Sequence, residues 1–155
     1  MTTIERPSTD EADTVADLWV ALAEDQRAHG SHLQAAVNRP HIRESVVQHA
    51  VTDSLLVARD GESILGFVMF SVESGVYEQD VRRGVVENLY VLPDIRGTGV
   101  GAALLAAAEK ALTERGCSVV SLDVLAANSD ARRFYRRQGY TSHRVEMEKR
   151  LSETD

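Results

Sequence analysis

Six consecutive residues, Arg96-Gly97-Thr98-Gly99-Val100-Gly101, form a pattern suited to binding an anion. Three glycines strip side chains from the point where a helix is predicted to begin. The unpaired N–H groups of its first turn would then stand open to an anion, and the helix dipole favours negative charge there. Three kinds of anion compete. A nucleoside triphosphate in a P-loop would need a Lys-Ser/Thr pair closing the glycines, where Ala102-Ala103 stand. A dinucleotide is suggested because residues 97–102 match G-x-G-x-x-G/A, but in that fold the first glycine follows its strand directly. Here residues 92–96 intervene, and too little chain follows for a doubly wound sheet. The third pattern is Arg-x-x-Gly-x-Gly on Arg96, Gly99 and Gly101, behind the apolar strand Leu89-Tyr90-Val91.

Such a turn needs a strand to deliver it and a helix to receive it. A strand is predicted over 85–91. The helix shows in Val100, Ala103, Leu104, Ala107, Ala108, Ala111 and Leu112, which recur at i, i+3, i+4, i+7, i+8, i+11 and i+12, with Gly116 as its stop. Residues 118–125 (SVVSLDVL) read as another strand. Strand, helix, strand makes a right-handed crossover, so 85–91 and 118–125 should run parallel. A second group of interest follows at 128–140. Asn128 or Ser129 caps a short helix, Gly139 ends it, and Ala131, Phe134, Tyr135 and Gln138 share one face.

The rest of the chain supplies a frame. Residues 3–6 suggest a short first strand. Ser8 to Glu11 read as a capping box ahead of a helix striped by Val15, Leu18, Trp19 and Leu22 and ending near Gly30. Ile42, Val46, Val47 and Ala50 suggest a second helix. Runs over 54–59 and 63–72 form a hairpin across Asp60-Gly61. Residues 73–83 make a polar connection carrying Tyr77, and a closing strand places Val145, Met147 and Leu151 on one side.

Composition sets outer limits. With 155 residues and 43% hydrophobic content, residues 1–155 suit a single domain with a real core. No apolar run approaches the roughly 18 residues of a membrane span, and the first residues do not resemble a signal peptide. Cys117 is the only cysteine, so no intrachain disulfide can form and a reducing cytoplasm is the expected setting. A net charge of −7 argues against nucleic acid as a partner. His29, His32 and His41 match no zinc spacing, so no metal is expected.

The two glycine-and-aromatic motifs, Arg96 to Gly101 after its strand and Asn128 followed by Phe134-Tyr135 and Gly139-Tyr140, resemble those of the GCN5-related N-acetyltransferase (GNAT) superfamily. The resemblance covers roughly residues 3–150. It implies an α/β (α+β) domain with a mixed, mostly antiparallel sheet of six or seven strands, about four helices, and two splayed central parallel strands. Acetyl-CoA would be the cosubstrate. Leu89, Tyr90 and Val91 would contact its pantetheine arm, Arg96, Gly97, Thr98, Gly99, Val100 and Gly101 would cradle its pyrophosphate, and Asn128 would hold the arm from the other side.

The same resemblance makes Glu87, nine positions before Arg96, the general base, with an acceptor-binding carboxylate as the alternative role. Tyr135, seven positions after Asn128, would be the general acid. The backbone N–H near Val91 would polarise the thioester carbonyl. Strand alternation puts Glu87 in phase with Val85, Leu89 and Val91. Of the basic cluster Arg132, Arg133, Arg136 and Arg137, one or two could meet the 3′-phosphate end of coenzyme A. The acceptor would be a small-molecule amine or a protein amine, and direct attack in a ternary complex is the expected route. A non-catalytic acyl-CoA sensor of the same fold and a protein N-terminal acetyltransferase are the alternatives. Homodimers are common in the superfamily, but nothing in the sequence establishes one.

Overall fold

The structure is a computed structural model that describes residues 1–152. Five strands form one sheet: β1 (Thr2–Glu5), β2 (Leu55–Asp60), β3 (Ser63–Val72), β4 (Arg83–Val91) and β5 (Val119–Ser121). They lie side by side in chain order. The first three joints are antiparallel, and β4 with β5 is parallel, as the crossover through α3 (Val100–Glu114) requires. The other helices are α1 (Ala12–Arg27), α2 (Arg39–Val51) and α4 (Ser129–Arg137).

Alternation along the strands builds two cores, one on each face. Val57, Phe67, Met69 and Tyr90 pack with Val15 and Trp19 of α1 and with Ile42 and Val46 of α2. Their neighbours Ala58, Val68, Phe70 and Val86 pack with Leu104, Leu105, Ala108 and Leu112 of α3, and Phe134 and Tyr135 of α4 border that second core. Each large side chain buried in this way contributes about 1.5–3 kcal/mol over leaving it exposed. Close packing of α3 on the sheet depends on Gly84, where a Cβ would meet Leu112 Cδ1 at 2.7 Å.

Several local expectations hold. Ser8 and Glu11 form the capping box, with the Ser8 amide donating to Glu11 Oε1 at 3.1 Å, although a single 3-10 turn (Thr9–Glu11) precedes α1. Gly116 (φ +87°) stops α3, and Cys117 is buried. The hairpin loop is Gly61-Glu62 rather than Asp60-Gly61, because Asp60 still pairs with Ser63 and Gly61 (φ +61°) takes the left-handed position.

Among the described residues the strand count is five, not six or seven. β5 stops at Ser121, and residues 141–150 run outside the sheet, with Val145 79% and Met147 88% exposed and Leu151 likewise open. Alternation marks a strand only where one face meets a core, and this segment meets none. It is tied to the α1–α2 connection by His32 Nε2 and Glu148 Oε1, 2.8 Å apart.

Candidate functional site

The site is built around the point where β4 loses its neighbour. β4 and β5 pair at only three positions, Arg83 with Val119, Gly84 with Val120 and Val85 with Ser121. Beyond Val85 the remaining six residues of β4 face an open wedge on that edge. The Leu92 amide donates to Leu65 O at 2.9 Å on the β3 side. Because successive N–H groups alternate edges, the amides of Val91 and Leu89 point the other way, into the wedge. The side chains of Leu89 and Val91 join the α3 core, while Tyr90 is buried beneath α1.

The glycine turn sits at the mouth of this wedge. Gly97 (φ +83°) and Gly99 (φ +91°) both adopt left-handed backbone, which a Cβ would penalise, and Gly99 is the N-terminal cap of α3. Ala103 is the first helical residue whose amide finds a partner, Gly99 O at 3.0 Å. The six amides before it, from Gly97 to Ala102, have none among the described residues. The turn is held in shape from outside the amides, by Thr98 Oγ1 donating to Ile95 O at 2.6 Å. The arrangement is an anion cradle of backbone donors at a helix start.

Arg96 does not turn its guanidinium onto that cradle. Its Nε donates to Val91 O at 3.0 Å, its Nη2 pairs with Asp25 of α1 at 3.2 Å, and its Cζ lies 5.3 Å from the centre of the Tyr90 ring. It fastens the start of the turn to α1 and the end of β4.

The second motif lies against the first. A Cβ on Gly101 would sit 3.5 Å from Phe134 Cζ and 3.7 Å from Val91 Cγ2, so the α3 start, β4 and α4 meet at one point. Asn128 caps α4, its Oδ1 accepting from the Ala131 amide at 3.1 Å. Only its Nδ2 donor is left without a partner among the described residues. Tyr135 packs edge-on to Phe134 and Tyr140, with ring centres 5.2 and 5.9 Å away. Burial pushes the Tyr135 hydroxyl up to about 12, so it keeps its proton through the neutral range. That hydroxyl has no hydrogen-bond partner among the described residues, whereas Tyr140 donates to Glu109 Oε2 at 2.7 Å. Of the basic cluster, Arg133 pairs with Asp130 and Arg132 donates to Ala126 O at 3.1 Å.

Glu87 is where the alternation argument fails. Met69 pairs with Asn88 and Phe70 with Val86, which leaves Glu87 as an extra residue in a bulge of β4. The bulge breaks the phase with Leu89 and Val91 and turns the carboxylate to the α2 side of the sheet. There Glu87 Oε2 lies 2.6 Å from His49 Nε2, and His49 Nδ1 lies 2.7 Å from Ser45 O one turn back in α2. Glu87, opposed in part by burial, raises the imidazole above its ordinary value. His49, which the structure brings to Glu87, was not singled out from the sequence. The available signal was its spacing, since Ile42, Val46 and His49 share the face of α2 that packs on the sheet.

Comparison with known proteins agrees with this geometry. The model of the acetyltransferase (GNAT) family matches residues 13–140. A mycothiol acetyltransferase of Clavibacter sepedonicus is 38% identical over 138 residues, covering 87% of this chain and 42% of that protein. The chain thus spans less than half the length of that relative. Among solved structures, a GCN5-related N-acetyltransferase from Ralstonia eutropha superposes with a TM-score of 0.76 at 25% identity, over 97% of this chain and 99% of the other. The PaiA N-acetyltransferase of Thermoplasma acidophilum, solved in complex with coenzyme A, gives 0.79 at 17% identity, over 94% and 93%.

Proposed function

The chain belongs to the acetyltransferase (GNAT) family, and from that premise we propose that it is an N-acetyltransferase that moves an acetyl group from acetyl-CoA to a primary amine by direct attack. The observation that carries this is the run of unpartnered amides from Gly97 to Ala102 beside the wedge between β4 and β5. A diphosphate fits the donors, and a narrow chain fits a gap edged by the Leu89 and Val91 amides. The residues fit coenzyme A on these grounds, and its thioester supplies the activated acetyl group.

The protein's own groups then have distinct tasks. Glu87 takes a proton from the amine, whose N–H bond breaks. The Val91 amide polarises the thioester carbonyl as the amine forms the new C–N bond. Tyr135 gives its proton to the sulfur as the C–S bond opens, and the second proton that the nitrogen sheds as the amide forms returns the tyrosine to its neutral state. An alkylamine with a pKa of about 10.4 is almost wholly protonated at neutral pH, which makes a base at Glu87 necessary for that class of acceptor. A cationic small-molecule amine also suits a protein of net charge −7.

Thiol release from acetyl-CoA across a panel of primary amines tests the reading, with coenzyme A binding followed separately by calorimetry. Amine-dependent release is expected. Binding without release from any amine would leave an acyl-CoA sensor, and no binding would remove the cradle itself.

A further inference from the structure

We propose that His49 is a positioning residue for Glu87, and that the two side chains accept the amine's proton as one relay rather than Glu87 acting alone. The inference deepens the acyl-transfer reading and rests on it. Ser45 O can only accept, so His49 Nδ1 must donate to it across 2.7 Å. In a neutral imidazole that leaves Nε2 with a lone pair, and Nε2 stands 2.6 Å from Glu87 Oε2. Two acceptors cannot hold that distance, so a single proton lies between them.

The surroundings leave the relay to these two groups. Glu87, reaching from β4, is the charged group that acts on the imidazole, and the Ser45 carbonyl at 2.7 Å and Ser45 Oγ at 3.4 Å, both from α2 itself, are its other polar neighbours. The cations elsewhere on α2 face α1, where Arg39 pairs with Asp13 and Asp17 and Arg43 with Asp13. Arg115, at the end of α3, is held by Ser54 Oγ at 3.0 Å and by the carbonyl of Asp53.

Chemistry gives the relay its purpose. Handing a proton from an alkylammonium to an ordinary carboxylate is uphill about a millionfold. Handing it to an imidazole is uphill about ten-thousandfold, and less when a carboxylate raises the imidazole. The proposed step starts above the His49 midpoint, once the proton shared by Nε2 and Oε2 has left to water: the ammonium N–H bond breaks and Glu87 receives the proton. Glu87 passes it to Nε2, where a new N–H bond forms, and ends as the carboxylate it was. His49 also lines an open cleft with Gln48, Thr52 and Ser71, from which the imidazolium can return the proton to water.

The test compares wild type with His49→Gln, His49→Ala and Glu87→Gln, each checked for coenzyme A binding by calorimetry so that misfolding is recognised. NMR titration of the His49 ring is expected to give a midpoint above about 6.5 that falls in Glu87→Gln. With an alkylamine acceptor, wild-type kcat/KM should rise with pH through that same midpoint. His49→Gln, whose amide can still donate to Glu87, should lose the limb and about tenfold to a hundredfold in kcat/KM at pH 8; His49→Ala should lose more. An unchanged limb in His49→Gln would overturn the relay while leaving acetyl transfer intact. Absence of transfer by wild type would overturn the acyl-transfer reading and the relay with it, and a raised His49 midpoint in that case would show that the pair exists but the reaction was misassigned.

Discussion

The glycine turn and the Glu87–His49 pair are built in opposite ways. The turn works with backbone alone: its donors, its left-handed residues and its hydrogen-bonded brace lie within residues 95–103, so local sequence determines it. The pair works with side chains from β4 and α2 that are 38 positions apart, and they meet only because β4 bulges at Glu87. On the proposed reading, binding the carrier is a property of one short segment, and handling the acceptor's proton is a property of how α2 docks on the sheet. Substitutions in the two regions should separate KM for acetyl-CoA from kcat for the amine.

The largest effect is expected at the pair. Glu87→Gln removes the group proposed to meet the ammonium and should lower kcat/KM for an alkylamine by about 10²- to 10⁴-fold. KM for acetyl-CoA should barely move, since the turn is untouched. Steady-state kinetics with each substrate varied in turn makes the measurement. A loss that appeared mainly in the acetyl-CoA KM would break the division between the regions.

Tyr135→Phe comes next. Its hydroxyl has no partner to lose among the described residues, while its ring keeps its contacts with Phe134 and Tyr140. kcat should fall about 10- to 100-fold with the melting temperature unchanged. A substantial drop in melting temperature would instead assign the hydroxyl to the fold.

What was legible in the sequence follows the same division. The crossover from β4 through α3 to β5, the glycine turn at the start of α3 and a cap at Asn128 or Ser129 are local features, and each formed in the segment read for it, with Asn128 as the cap and β5 shorter than 118–125. The bulge was not legible, because whether Glu87 is an extra residue depends on the register of β3, which is set over the whole hairpin. His49 carries no motif, and its role exists only once α2 is docked. The C-terminal alternation of Val145 and Met147 misled for the converse reason. Its period was right, but no core face was available to receive it.

Gly99→Ala perturbs the turn and leaves the pair intact. A Cβ at φ +91° costs about 1–2 kcal/mol and shifts the cradle amides, so KM for acetyl-CoA should rise about tenfold with kcat for saturated enzyme nearly intact. Isothermal titration with coenzyme A should show the same factor. An equal fall in kcat without a KM change would mean that the turn helps align the reacting atoms as well as hold the carrier.

The smallest effect concerns stability and belongs to the pair alone. Glu87 raises the His49 imidazole in the folded state relative to an unfolded histidine near about 6.5, so the folded form binds the proton more tightly. That contribution is fully present below the unfolded value and is lost as pH rises through the folded one. Wild type should therefore lose urea resistance relative to His49→Gln on going from about pH 6 toward and past the His49 midpoint seen by NMR, and not on going lower. Gly99→Ala should leave this difference unchanged, since nothing in the turn titrates with His49. A pH-independent gap between wild type and His49→Gln would mean that the imidazole packs there without gaining its proton from Glu87. The two regions would then differ in binding geometry only, not in how they respond to protons.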